Sequence, residues 1–551
     1  MLSKSHDAAE VLFQYINDLD DSDPLKAKLQ EEFTCFAEDP PVITTSFSGL
    51  GTAEAAAVHQ HERALQLVAP WKSGTLLQPH ERVVCYSATE NGKLQQAVLN
   101  MHKEPSRPRH LFPDVLCRVS AEVHETLMAI QVKYLQQGEF LQMEQEDGSM
   151  LKVELKNEKA RVGGYFCREL SAVLTTCQFN SHADCLITKR SVPISPRHDD
   201  AYPLLKHRFW IEMAGTTCCP FSSMQSNHDG WLSESTVPCL CWAFSNRYYS
   251  PSMIVHECVP AFTPETLLAS FNLDAHEPIP RCPWAISLHR CVEPWSMKSN
   301  VWQPDLFGIP TSGGRRYTLL AGDGVDLIEV DPCEVWGCEV EADLDVYLNI
   351  RDPDEDRAWT ERHRCNDNGS GSRGTSHLLT SGNFGRYEGH AIKVTDAGLA
   401  VLDDDGVLST TRRTVINLKH TASFDSSVST ENFPRLLRGS MHWDLSEDMV
   451  VQSMHKWLVQ GFPHPSDFLG LPPAMTNFFP FSESDVSFRK QGFARATGNR
   501  RRRIEVEQSM TEAEVSYLLG NSMHYALISF AFLLAAVTSD KTRRRVRDAQ
   551  R

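Results

Sequence analysis

The 551-residue chain has 16 cysteines but no C-x-x-C pair. That spacing opens most structural zinc sites, so no metal is expected. Cys239-Leu240-Cys241 comes nearest to it. The cysteines run from Cys35 to Cys365 without a regular framework, and Met1 to Asp7 lack the apolar core of a secretory signal. Reduced thiols in a nuclear or cytosolic compartment are therefore expected. No membrane span is expected either: the apolar segment Tyr525 to Val537 falls short of the ~20 residues a span needs and reads as a buried helix. There is no internal repeat. A basic excess is also missing, since the formal charge is −17. This excludes uniform coating of nucleic acid and leaves the task to local patches. Two such patches exist, Arg500 to Arg503 and Lys541 to Arg547. Each suits a phosphate grip, a nuclear-import signal or a solvated charge run.

What is present is ordinary for a globular protein: 41% hydrophobic and 23% charged residues. The length suits two to four domains. Residues 1–40 read as an amphipathic helical extension. From residue 41 strands and helices alternate. Val42 to Phe47 is followed by an Ala-rich helix, and Arg82 to Ser87 by a helix from Lys93. That rhythm predicts an α/β fold with a doubly wound, mostly parallel sheet over 41–324. Residues 119–205 break it and read as an insertion, with a hairpin around Met143 to Ser149. The sheet resumes at Arg208 to Met213 and again at Ser252 to His256. Residues 325–440 carry the acidic run Arg351 to Arg357 and a Gly/Ser/Asn-rich stretch, Asn366 to Thr375. They read as a smaller, irregular α/β domain. Residues 441–540 read as helical and 541–551 as a basic tail.

Several residue sets carry chemistry. Phe47-Ser48-Gly49-Leu50-Gly51-Thr52 follows the first strand and opens a helix, and its glycines let a ligand approach the backbone. An ordinary tight turn has the same look. Glu90, at the end of the next strand, suits a pair of ribose hydroxyls. Asp114, after the third strand, suits an adenine amino group. Each acid alone also suits a helix cap or a surface position. Cys218 lies in the turn Gly215-Thr216-Thr217-Cys218-Cys219-Pro220-Phe221-Ser222, and Glu257 ends the next strand. A thiolate and a proton donor at the open edge of a parallel sheet can attack a heteroaromatic ring.

In this order the motifs resemble those of the cytosine-5 DNA methyltransferases, which use S-adenosylmethionine. The turn F-S-G-L-G resembles that family's first motif. The run G-T-T-C-C-P-F-S resembles its nucleophile loop, and His256-Glu257-Cys258-Val259 its Glu-Asn-Val motif. The segment from Phe307 to Tyr317 resembles the arginine motif. Gln460-Gly461-Phe462-Pro463 and Leu519-Gly520-Asn521-Ser522-Met523 resemble the two C-terminal motifs, so the resemblance implies that 441–540 returns to the catalytic domain and closes the methyl-donor pocket. The resemblance implies a Rossmann-like class I methyltransferase domain with a target-recognition domain at 325–440, using local arginines such as Arg373 and Arg386. It implies S-adenosylmethionine at Phe47, Ser48, Gly49, Leu50, Gly51, Thr52, Glu90, Asp114, Asn521 and Ser522. Cys218 would attack C6, a protonated Glu257 would meet N3, and Arg315 would hold the base, which must be flipped out of a duplex. The partner implied is DNA, in the nucleus. RNA as substrate and a silent nucleic-acid-binding homologue are the alternatives.

The sequence departs from the family pattern at Thr216-Thr217, which replace prolines, and at Cys258, which replaces asparagine. Thr311-Ser312-Gly313-Gly314-Arg315 lacks the glutamine and first arginine of its motif.

Overall fold

The computed structural model describes residues 7–68, 82–102, 104–136, 140–144, 150–154, 158–217, 219–222, 229–265, 295–309, 311–322, 325, 327, 329–338, 344, 348, 381–402, 408–418, 427–430, 432–434, 436, 441–462, 517–520 and 522–537. Among the expectations above, Cys218, Asn521, Arg373, the run Asn366 to Thr375 and both basic patches lie outside the described residues.

The chain divides into two compact units. The larger comprises Ala9–Trp302, Gly314–Val330 and Ile528–Arg551; the smaller comprises Met1–Ala8, Gln303–Gly313 and Asp331–Leu527.

The larger unit begins with α1 (Ala8–Asp18) and α2 (Pro24–Glu38). Asp23 caps α2 by accepting from Leu25 N at 2.8 Å, and proline opens its first turn, where the missing N–H costs nothing. Then follow β1 (Val42–Ser46), α3 (Thr52–Val68), β2 (Val84–Thr89), α4 (Lys93–Met101) and β3 (His110–Phe112). After β3 come α5 (Ala121–Leu135), the hairpin β4 (Phe140–Glu144) and β5 (Met150–Glu154), α6 (Lys159–Thr176), and the hairpin β6 (His182–Asp184) and β7 (Ser191–Pro193). The sheet continues with β8 (Trp210–Gly215), α7 (Thr236–Tyr249), β9 (Met253–Cys258), β10 (Ser296–Trp302) and β11 (Arg315–Ala321).

Seven strands form one sheet in the order β10-β11-β9-β8-β1-β2-β3. β3, β2, β1, β8 and β9 run parallel, and β11 is antiparallel to both β9 and β10. The expected doubly wound, mostly parallel sheet is therefore present. β1 and β9 are buried throughout, as strands covered on both faces must be. Chain order reverses between β1 and β8, which pair directly, and such a switch point leaves a crevice at the carboxyl ends. On one side α5, α6 and α7 close a core through Leu127, Phe166, Leu170 and Phe244. Residues 119–205 supply α5, α6 and the two hairpins, so they extend the helical cover.

The smaller unit contains α8 (Pro332–Trp336), α9 (Ser381–Asp396), the hairpin β12 (Ala400–Leu402) and β13 (Leu408–Thr410), and a four-stranded sheet. Its strands are β14 (Val415–Asn417), β15 (Val428–Ser429), β16 (His442–Asp444) and β17 (Met449–Val450), in the order β15-β14-β16-β17. Trp443, Ile416 and Leu418 form its centre. The helical reading of 441–540 thus needs correction at its start. His442 to Val450 is strand and turn, because Trp443 of β16 pairs with Ile416 of β14 and fills that core. Helices resume at α10 (Ser453–Val459) and α11 (Tyr525–Ala536), the latter buried along its length and from Ile528 onward part of the larger unit. Among the described residues no helix is long and apolar enough to cross a membrane.

Candidate active site

The turn after β1 lies at the crevice. Phe47, Gly49 and Gly51 have φ of 57°, 58° and 84°, so the chain coils through left-handed backbone. A Cβ on Gly51 would meet His102 Cε1 at 2.6 Å, so only glycine fits. Behind the turn, His102 Nε2 donates to the Leu50 carbonyl at 3.1 Å, and Phe47 N bonds Thr89 O of β2 at 2.9 Å. Ser48 and Leu50 are buried, and Thr52 begins α3.

Glu90 directly follows β2. Its Oε2 accepts from Gly49 N and its Oε1 from Gly92 N, each at 2.9 Å. The carboxylate is thereby fixed to the glycine turn. Burial pushes it above the ordinary carboxyl range, opposed by these N–H donors and assisted by the charge of Asp114. Asp114 Oδ1 accepts from Leu116 N at 2.9 Å and caps the short turn Val115–Arg118. Its other oxygen has no hydrogen bond among the described residues. Glu54 on α3 is a third carboxyl here, which the sequence reading missed. It is fully buried, takes a hydrogen bond from Thr45, and is pushed by burial from an ordinary 4.5 up to about 7.

The second cluster sits across β8, β9 and β11. Glu257 of β9 lies opposite Gly215 of β8 and opposite Tyr317 of β11. Arg315 Nε approaches Glu257 Oε1 at 2.8 Å, and both side chains are largely buried. Arg316 points elsewhere: its guanidinium donates to the Pro260 carbonyl at 2.8 and 3.0 Å. Neighbouring arginines thus divide between the carboxylate and the backbone. The loop carrying Cys218 is anchored on both sides. Before it, Thr216 Oγ1 bonds His256 Nε2 at 2.7 Å. After it, Phe221 packs edge-on against Trp231 and Phe262, with centroids 5.1 and 5.0 Å apart. Burial pushes His256 down to about 3, so the imidazole is neutral. Cys258 is buried in an apolar cluster with its thiol pushed up to about 12, so it serves as a small hydrophobe.

Within the smaller unit the two C-terminal motifs meet. Gln460 Nε2 donates to Leu519 O at 3.0 Å, and Tyr525 N donates to Gln460 O at 2.9 Å. Ser522 Oγ bonds Leu519 O at 2.8 Å, and Trp457 stacks on Phe462 at 4.0 Å. Ser522 belongs to this unit, whereas Phe47 to Thr52, Glu90 and Asp114 belong to the larger one. Arg386, expected at a nucleic-acid surface, donates to Leu418 O at 3.1 Å. Among the described residues no group of three or more metal-ligating side chains converges.

No protein-family model and no curated protein matches the chain. Among solved structures it is similar to Entamoeba histolytica methyltransferase EhMeth, at 12% identity and TM-score 0.34, over 90% of this chain and 97% of that one. S. pombe Dnmt2 methyltransferase is similar at 12% and 0.34, over 90% and 98%. A mutant of Spodoptera frugiperda DNMT2 is similar at 9% and 0.33, over 90% and 99%. Likeness at this level carries no weight of its own; the strand order does. Counted along the chain, the sheet strands run 3-2-1-4-5-7-6, with the seventh antiparallel. The fold of the larger unit is the Rossmann-like class I methyltransferase fold.

Proposed function

We propose that this chain transfers a methyl group from S-adenosylmethionine to C5 of cytosine in DNA. The observation that carries the reading is the ion pair between Arg315 and Glu257, formed beside the loop that bears Cys218. The residues at the other end of the crevice suit the donor. S-adenosylmethionine is a sulfonium cation, and Glu54, Glu90 and Asp114 gather carboxyls where the glycine turn exposes backbone. The glycine turn, Glu90 and Asp114 would hold it. When bound, it supplies an electrophilic methyl group.

The chain's own residues prepare the acceptor. Cytosine C5 is a poor nucleophile until a group adds at C6. The Cys218 thiolate forms a bond to C6, and the ring's electrons move toward N3 and C5. Glu257, taking up a proton as the base enters, would hydrogen-bond to or protonate N3 as this happens, so the charge is not left on the ring. The Arg315 guanidinium favours the ionised carboxylate, so that proton must arrive with the base. Arg315 fixes the Glu257 carboxyl and faces the base. After transfer a base removes the C5 proton and the Cys218 sulfur leaves, which restores the ring and the thiolate. The anchored loop, with Thr216 on His256 and Phe221 in its aromatic cluster, replaces the rigidity that prolines give this segment in the family.

The test is incubation of purified protein with labelled S-adenosylmethionine and either duplex DNA or tRNA, beside Cys218→Ala. Label in DNA that vanishes in the variant supports the proposal. Label in tRNA alone reassigns the substrate to RNA. Donor binding without transfer to either would leave a silent homologue and sink the activity.

A further inference from the structure

Arg118 is buried beneath the crevice, in the turn that Asp114 caps. Its Nη2 donates to Ser46 Oγ at 2.7 Å and to Thr89 Oγ1 at 3.5 Å; its Nη1 donates to Ser245 Oγ at 3.0 Å. Ser46 is the last residue of β1 and Thr89 the last of β2. The next residues in the chain are Phe47, which starts the glycine turn, and Glu90. One guanidinium, itself in the turn after β3, therefore ties the ends of β1 and β2, each followed by a proposed donor contact, to α7 through Ser245.

The network continues toward the nucleophile side. Ser46 Oγ donates onward to Glu212 Oε1 at 2.6 Å, and Trp242 Nε1 donates to the same oxygen at 2.8 Å. Thr44 donates to the other oxygen, and Trp210 Nε1 holds Thr44 Oγ1 at 2.7 Å. Arg118 Nη2 lies 3.9 Å from Glu212 Oε1. Glu212 is on β8, the strand that leads into the Cys218 loop. The Glu212 carboxylate accepts from three donors and faces the guanidinium, whose Nη1 and Nη2 are bonded while its Nε has no hydrogen-bond partner among the described residues; the bonded members fix one another's positions.

We infer that Arg118 is a positioning residue for the methyl donor, setting the spacing between the glycine turn, Glu90 and Asp114. This rests on the donor reading above. It differs from a stability role in what it affects. Arg118 reaches no ligand itself; Ser46 and Thr89, which it holds directly, adjoin the donor contacts, whereas the nucleophile side is reached only through Glu212, so its loss should move the donor contacts first. A lysine cannot span the three hydroxyls, because it lacks the planar fork.

The experiment compares wild type, Arg118→Lys and the charge-balanced pair Arg118→Met with Glu212→Gln. The pair removes both buried charges together and so avoids stranding Glu212. Thermal unfolding, S-adenosylmethionine affinity by calorimetry and steady-state kinetics are measured on each. The expected result is a donor dissociation constant and donor KM raised roughly tenfold to a hundredfold, as small misplacements give. The kcat at saturating donor and the KM for nucleic acid stay near wild type. Weak donor binding in a double variant that melts like wild type would separate positioning from folding. Wild-type donor affinity in either folded variant would overturn the inference while leaving the donor reading intact. Failure of the wild type itself to bind S-adenosylmethionine would remove the donor reading and this inference with it.

Discussion

The two ends of the crevice handle charge in different ways. On the β1–β2–β3 side, Glu90 is held by the N–H groups of Gly49 and Gly92, and Glu54 by the Thr45 hydroxyl. On the β8–β9–β11 side, Glu257 is held by the guanidinium of Arg315. Dipoles orient a carboxylate without cancelling its charge, so burial and mutual repulsion push Glu54 and Glu90 upward. The upward push favours the neutral carboxyl, and a cationic ligand beside these groups would draw out their charged form. A guanidinium fixes the geometry and favours the ionised carboxylate, so it aims Glu257 without supplying the proton that N3 would need. In the proposed reading, one end of this sheet edge would serve the cationic donor and the other a neutral base.

The sharpest way to break this comparison is at Glu257. Glu257→Gln keeps the shape of the side chain and removes the charge that Arg315 meets. The expected loss in kcat is about 10²–10⁴-fold, the range for a positioned acid or base. Donor affinity by calorimetry should not change. A parallel loss of donor affinity would mean that the two ends are not separate.

Glu54 tests the other end through stability. Its carboxyl titrates near 4.5 when exposed and at about 7 in the fold. Below 4.5 it is protonated in both states and carries no penalty. As pH rises to 7 the unfolded chain releases its proton first, so stability falls, and the penalty is complete above 7. Glu54→Gln should therefore stabilise the protein at pH 8 by about 3 kcal/mol relative to its effect at pH 4. Denaturant unfolding at the two pH values checks this; equal effects at both would contradict the buried-carboxyl account.

Arg315→Ala is expected to cost kcat/KM about tenfold to a hundredfold, less than Glu257→Gln, because a positioning contact is lost and the reacting group remains. Arg316→Ala, whose guanidinium serves the Pro260 carbonyl, should lower the melting temperature more than the turnover. The reverse ranking would exchange the two roles. Gly51→Ala should give the smallest change, about 1–3 kcal/mol of stability from forcing a side chain into left-handed backbone. It should also weaken donor binding, since His102 must move.

The sequence exposed what is local. The turn Phe47 to Thr52 is legible because Gly49 and Gly51 supply left-handed backbone directly between a strand and a helix. Glu90 and Asp114 are legible because each follows a short apolar strand. The choice of Arg315 over Arg316 came from motif order, and the structure gives its physical basis: residues alternate across β11, so only one of the pair can face Glu257. What the sequence hid is long-range. Ser46 and Glu212 stand 166 positions apart, as do Trp210 and Thr44. Thr216 meets His256 only because β8 and β9 are in register. Arg118 and Glu54 carried no sequence signal, since no spacing rule marks a group whose partners lie far along the chain. The strands β16 and β17 were hidden for a similar reason. Strands of two or three residues have no period to read, and Trp443 earned its place through partners on β14.

The central claim is that Cys218 attacks cytosine C6 with methyl transfer at C5. The most direct measurement is intact mass after incubation with S-adenosylmethionine and an oligonucleotide carrying 5-fluorocytosine. Fluorine cannot be removed as a proton can, so the ring cannot be restored and the sulfur stays attached. A stable, donor-dependent adduct of protein plus methylated oligonucleotide, mapped to Cys218 and absent in Cys218→Ala, is the expected outcome. Methyl transfer to unmodified cytosine by the Cys218→Ala variant at the wild-type rate, or no adduct from a wild type that binds the donor and methylates DNA, would show that Cys218 is not the nucleophile.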